Sequence, residues 1–213
     1  MNKWMLALLL VFGICHATTR QDLDLIASLA EKRLCIIVMR HGEALHDKSG
    51  ELTSSRTPGV YLTAAGEAQI HKVAAELAGT KIDWIYVSPL FRTLQTAQML
   101  GMMHHVAYDH YFVSPKLAEQ QFGDLEGKSY REYVATFKNS EDRYTFAPPH
   151  GESGQEVFQR GLLMLKELAY VHHDQIILII THAFNAELIE EALTGERAPS
   201  LSFGEYRIYD FGK

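Results

Sequence analysis

Two histidines in this chain each close an apolar run. Leu34-Cys35-Ile36-Ile37-Val38-Met39 stops at Arg40-His41-Gly42, and Ile176-Ile177-Leu178-Ile179-Ile180 stops at Thr181-His182. A third run, Ile82 to Val87, ends at Ser88-Pro89 with Arg92 just beyond, and Glu119 sits in a glycine-punctuated polar loop. A neutral imidazole is a nucleophile, and a guanidinium fork matches phosphate oxygens and keeps its charge. A carboxyl group can protonate a poor leaving alkoxide and afterwards activate water. The set therefore suits transfer of a phosphoryl group onto histidine, which splits one difficult displacement into two easier ones. Taken singly, each residue has a plain alternative: Arg-His-Gly as a strand-to-loop turn, Arg92 as a solvated helix residue. Their convergence decides between these readings.

Convergence depends on the elements that carry them. The apolar runs are short and rich in β-branched residues, which predicts strands covered on both faces. Helical patterns separate them. Thr19-Arg20-Gln21-Asp22 has capping-box spacing ahead of Leu25, Ile26 and Leu29. Thr63 caps a helix with Ile70, Val73, Ala74 and Leu77 on one face, ended by Gly79. Further helices are expected from Leu90 to Met103, from Ser153 onward, and from Phe184 to Leu193 before Gly195. Alternating strands and helices predict parallel pairing with right-handed crossovers, so the strands' carboxyl ends meet on one rim. Tyr108 to Val113 is expected to add a strand, and Phe203 to Phe211 an antiparallel edge strand. Glu43 to Tyr61 reads as a long loop. Residues 129–152, with Tyr130, Tyr133 and Phe137, read as an insertion or lid.

The 213 residues, 47% hydrophobic and 22% charged, suit one domain with a sizeable core. A net charge of −6 without a basic stripe argues against nucleic acid as a partner, whereas a small anionic substrate needs only a local positive pocket. Met1 to Ala17 has the form of a secretory signal peptide: Lys3, the apolar stretch Trp4 to Cys15, and Cys15-His16-Ala17 as a small-x-small cleavage site. Export to the periplasm or beyond is expected, with no stable membrane anchor after cleavage, leaving residues 18–213 as the working domain. Cys35 is then the one remaining cysteine, expected as a small buried hydrophobe without an internal disulfide. The oligomeric state is not legible.

Arg40-His41-Gly42-Glu43, Ser88-Pro89-Leu90-Phe91-Arg92-Thr93-Leu94-Gln95-Thr96-Ala97, the loop Leu117 to Gly127 and Thr181-His182 together resemble the histidine phosphatase superfamily, in its phosphoglycerate-mutase-like branch. Leu62 to Gln69 resembles that family's helix start, and the likeness runs from about Leu34 to Leu193. The resemblance implies an α/β three-layer sandwich: a mostly parallel central sheet with helices on both faces. It implies His41 as nucleophile, Arg40, Arg92 and His182 gripping phosphoryl oxygens, Glu119 as acid and then base, and neither metal nor cofactor. A small phosphorylated substrate follows, with a monoesterase favoured over a mutase or a catalytically impaired phosphate-binding module.

Three positions depart from the pattern. Ala44 stands where relatives often carry Ser or Thr, Asp47 where they often have a phosphate-facing Asn, and Ala183 where a glycine is usual. Asp47 as a carboxylate repels phosphate unless it is protonated, turned away, or engaged with a cationic part of the substrate. The backbone N–H of Ala183 remains able to meet phosphate. His104-His105 and His172-His173 lack metal-ligand spacing and are expected as solvated surface pairs.

Overall fold

The alternation of side chains along two central strands sorts the helices into layers. A computed structural model describes residues 20–55, 60–139 and 141–212. In it, β1 (Cys35–Arg40) and β4 (Ile176–Thr181) pair in parallel, with Arg40 opposite Thr181. Ile36 and Val38 of β1, with Ile177 and Ile179 of β4, pack against α1 (Arg20–Glu31), α7 (Gly154–Val171) and α8 (Ala183–Thr194). Ile37 and Met39, with Leu178 and Ile180, face the opposite way onto α3 (Ala64–Glu76) and α4 (Phe91–Met103). A strand's two-residue period thus builds a core on each face, and the fold is the expected α/β three-layer sandwich.

Among the described residues the sheet has five strands in the order β3-β2-β4-β1-β5, with β2 at Trp84–Val87, β3 at Tyr111–Val113 and β5 at Tyr206–Asp210. Of these, β5 alone is antiparallel. The chain winds outward from β1 through α3, β2 and α4 to β3, then returns by α7 on the other face and slots β4 between β1 and β2. That return makes the two histidine-bearing strands neighbours.

Caps fix where the helices begin. Ser153 and Glu156 form a reciprocal capping box on α7, and Thr63 accepts from the Gly66 N–H at the start of α3. The Thr63 hydroxyl also donates to Glu43 at 2.6 Å, so Glu43 shapes the loop after β1. Two short helices interrupt stretches read as loop: α2 (Leu45–Ser49) in the Glu43–Tyr61 segment, and α6 (Asp142–Thr145) after α5 (Tyr130–Val134).

Several expectations need correction. Tyr108–His110 forms a 3-10 turn rather than strand, because Tyr108 is almost wholly exposed while His110 stacks on Trp84 at 4.3 Å and bonds the Asp83 carbonyl. The last strand starts at Tyr206, since Gly204 turns the chain at φ +70° and Phe203 leaves the sheet for the active-site rim. Cys35, at the first position of β1, is half-buried rather than buried. His172 is not a surface residue: it is 5% exposed and bonds both the Tyr86 hydroxyl and Gln175, whereas His173 is exposed. The signal segment lies outside the described residues. Among those described, no helix is long and apolar enough to cross a membrane.

The loop after β1 and the first turn of α3 meet without spare room. A Cβ built on Gly66 lies 2.1 Å from the Glu43 carbonyl oxygen, and one on Gly42 lies 2.8 Å from the Gly66 carbonyl oxygen. Gly66→Ala is expected to cost about 1–3 kcal/mol, a fall in Tm on the order of 5 °C. Thermal unfolding followed by circular dichroism checks this, and an unchanged Tm contradicts it.

Candidate active site

The parallel register delivers the two imidazoles together. His41 and His182 each follow the last residue of their strand, the His41 N–H donates to the Thr181 carbonyl at 3.1 Å, and the ring centroids lie 5.2 Å apart. Both rings are buried, at 2% and 0% exposure. Arg92, in the first turn of α4, reaches them from the adjacent β2 end and is itself 1% exposed.

Arg92 organises this cluster. Its Nε donates to His41 Nε2 at 3.2 Å, and its Nη2 donates to His182 Nδ1 at 3.1 Å and to the Thr53 carbonyl at 3.0 Å. A guanidinium only donates, so both ring nitrogens facing it are acceptors. This assigns the tautomers. His41 carries its proton on Nδ1, where it donates to the Gly42 carbonyl at 2.7 Å, and His182 carries its proton on Nε2, where it donates to the Ser88 hydroxyl at 2.8 Å. His41 therefore turns a lone pair on Nε2 toward Arg92. Burial, then the positive Arg92, holds the His41 imidazole well below its usual range. The same two causes, with His41 itself, act on His182. Both rings are neutral at neutral pH, as a histidine nucleophile must be. His182 as it stands is a partner of Arg92 rather than a spare donor.

Glu119 completes the rim. Its Oε1 accepts from the Gln120 N–H at 3.0 Å, which leaves Oε2 3.6 Å from His182 Nδ1 and 3.9 Å from Arg92 Nη2. Burial raises this carboxyl, and the opposing pull of Arg92, the Gln120 N–H and Arg40 does not cancel it. Arg40 lies with its guanidinium carbon 3.6 Å over the Phe203 ring and donates to the Leu201 carbonyl at 3.0 Å. Arg40 Nε and Arg92 Nη1 are buried without a hydrogen-bond partner among the described residues. Two orphaned guanidinium N–H groups beside neutral imidazoles make a site for an anion. The first turn of α8 begins at Ala183 on the same rim, adding the positive end of a helix.

A cavity of about 400 Å³ opens from this point, lined by Arg40, Asp47, Glu119 and Ala183 among others. Asp47 is turned back on its own helix: Oδ2 accepts from the Ala44 N–H at 2.8 Å, and Oδ1 lies 3.3 Å from His46 Nε2. Burial raises its carboxyl against the pull of that N–H and both arginines. The structure thus brings together all seven residues singled out from the sequence, with Asp47 serving as a cap.

Sequence reasoning missed three contributors. Phe203, read as a strand residue, is the platform for Arg40; Thr53, read as loop, holds Arg92 through its carbonyl; and His46 lines the cavity with its ring 6.3 Å from His41. Burial and the two arginines push His46 down to about 3, so it is uncharged there. Only His46 left a signal, being a third histidine five residues after His41. Among the described residues, no three His, Cys, Asp or Glu side chains are grouped to hold a metal ion.

Two buried imidazoles, two arginines and an adjacent carboxyl group thus meet at the carboxyl edge of the parallel strands. Residues 36–202 match the family model of the histidine phosphatase superfamily (branch 1), and the chain belongs to that family. It is 28% identical over 177 residues to a phosphoglycerate mutase of Schizosaccharomyces pombe, covering 76% of this chain and 82% of that protein. It is 27% identical over 169 residues to the adenosylcobalamin/alpha-ribazole phosphatase of Escherichia coli, covering 77% and 81%. Among solved structures, the alpha-ribazole phosphatase from Shigella flexneri superposes with a TM-score of 0.70 at 26% identity, covering 83% of this chain and 90% of that one. The family holds both phosphatases and mutases.

The bridging role of Arg92 is open to direct test. Lysine keeps the charge but not the fork that meets His41, His182 and Thr53 at once. Arg92→Lys is expected to lower kcat/KM by about 100-fold or more and to weaken orthovanadate binding measured by calorimetry. Full activity in that variant contradicts the role.

Proposed function

We propose that this chain hydrolyses phosphomonoesters through a phosphohistidine on His41, without a metal. The observation that carries the reading is the fixed tautomer of His41. Its Nδ1–H is committed to the Gly42 carbonyl, so the Nε2 lone pair faces Arg92, whose Nε–H it accepts and whose Nη1 has no hydrogen-bond partner among the described residues.

The chemistry follows from that arrangement. The substrate's phosphoryl oxygens take the free donors of Arg40 and Arg92, the Arg92 Nε–H passes from His41 Nε2 to a phosphoryl oxygen, and the Nε2 lone pair so released attacks phosphorus. As the bond from phosphorus to the ester oxygen breaks, Glu119 in its protonated form gives its proton to the departing alkoxide. The Glu119 carboxylate then takes a proton from water, whose oxygen attacks phosphorus. The P–N bond breaks, its electron pair returns to His41, and phosphate leaves. Charge developing on the transferring group is met by arginines already in place, the largest usual contribution to such a step. Export to the periplasm or beyond, expected from residues 1–17, belongs to the same proposal, with a mature amino terminus at Thr18.

Phosphate release from a panel of monoesters, with chelator present and His41→Ala as the blank, tests the reading. Release is expected to be indifferent to chelator and abolished in the blank; release that survives in His41→Ala contradicts it. An isomerised ester in place of free phosphate moves the reading to a mutase.

Glu119 makes a second prediction. Because burial raises its carboxyl, the protonated acid persists to higher pH than for an exposed glutamate, and hydrolysis of alkyl esters declines as pH rises through that raised value. Glu119→Gln is expected to remove this decline and to slow first-turnover release of the alcohol from alkyl esters by about 100-fold or more, sparing first-turnover release from activated aryl phosphates. Equal loss on both substrate types contradicts an acid role.

A further inference from the structure

Beyond the phosphoryl cradle, the cavity has a character of its own. Six apolar or aromatic side chains line it, Leu52, Phe122, Tyr130, Tyr133, Phe184 and Phe203, beside polar residues such as Thr53 and Ser200. Leu52, Phe122 and Tyr133 form a small core of their own, backed by Leu125, Phe137 and Phe146. The Tyr133 hydroxyl donates to Gln120 at 3.1 Å, and Gln120 in turn donates to the Glu152 carbonyl at 2.7 Å, so these two polar groups already bond within the protein.

The charges in the cavity point the same way. Apart from Arg40, the only cation in the lining among the described residues is Arg143. Its Nη2 lies 3.0 and 3.2 Å from the two carboxylate oxygens of Glu187, which is 7% exposed, and its guanidinium carbon sits 4.4 Å over the Phe184 ring. A second anionic group on the substrate meets a cation whose charge Glu187 already offsets through Nη2, and Asp47 and Glu51 stand in the same lining. A substrate carboxylate or second phosphate buried there is disfavoured. An uncharged ring, by contrast, gains from contact with aromatic walls.

From this we propose that the site selects phosphomonoesters whose alcohol is uncharged and carries a ring, and that the Arg143–Glu187 pair is the device that rejects anionic alcohols. This deepens the hydrolytic reading and rests on it. Specificity of this kind is a difference between two substrates, set as much by what the walls reject as by what they hold.

Three esters separate the terms: benzyl phosphate, ethyl phosphate and phosphoglycolate, which carries a carboxylate. Wild type is expected to favour benzyl phosphate over phosphoglycolate by about tenfold or more in kcat/KM. Tyr130, 55% exposed and outside the catalytic set, is the wall residue to truncate. Tyr130→Ala is expected to raise KM for benzyl phosphate severalfold more than KM for ethyl phosphate, narrowing the preference between the two. Glu187→Gln frees Arg143 and is expected to raise the phosphoglycolate-to-benzyl ratio, a gain that a loosened fold does not produce. A wild-type preference for phosphoglycolate overturns the proposal, as does an unchanged ratio in folded Glu187→Gln. Calorimetry with benzylphosphonate and phosphonoacetate, which are not hydrolysed, reads the pocket's preference without turnover. If wild type hydrolyses none of the three esters, the hydrolytic reading fails, while phosphonate binding still upholds or overturns the pocket's selectivity.

Discussion

Arg92 is a cation held almost entirely out of water, between two uncharged imidazoles and a backbone carbonyl. Burying a charge without a close counter-ion is costly, and here Glu119 is the nearest carboxylate at 3.9 Å. Such an arrangement persists because three acceptors meet the guanidinium, and because an anion arriving beside its orphaned Nη1 supplies the missing charge. Everything around it follows from that constraint. The imidazoles are neutral because the cation and burial make them so, their tautomers are fixed because Arg92 can only donate, and Glu119 stays close enough to feel both.

The fold exists, in this sense, to bring three strand ends to one point. β1 and β4 are adjacent and in register, so the residues immediately after them are neighbours; β2 lies on the far side of β4 and starts the helix that carries Arg92. The lowered imidazole of His41 and the raised carboxyl of Glu119 are opposite results of one cause. Desolvation disfavours charge on either group, lowering the base and raising the acid.

Much of this arrangement was written in local sequence. Apolar runs that stop at a charged residue or histidine mark buried strands feeding a rim, and Thr63 and Ser153 announce their helices by side chains that bond their own backbone. Those are local effects, readable within a few residues. Strand order was not readable, because nothing in the Ile176–Thr181 run says that it slots between β1 and β2 rather than at an edge. Phe203 and Thr53 escaped notice for the same reason. One acts through a ring brought under Arg40 by the turn at Gly204, the other through a carbonyl that every residue possesses. His172 was misjudged because pairing with a neighbouring histidine says nothing about which of the two faces Tyr86.

Asp47 shows how structure settles a departure from pattern. Its carboxylate caps the turn after β1 by accepting from Ala44, which turns a potential repeller of phosphate into a local brace. The central claim remains that His41 becomes covalently phosphorylated, and rapid quenching tests it most directly. The chain is mixed with an ester radiolabelled at phosphorus and quenched in denaturant within the first turnover. The account predicts an acid-labile, base-stable label on His41, absent from His41→Ala and accumulating in Glu119→Gln when an activated aryl phosphate is the donor. Turnover that proceeds with no label on His41 would contradict it.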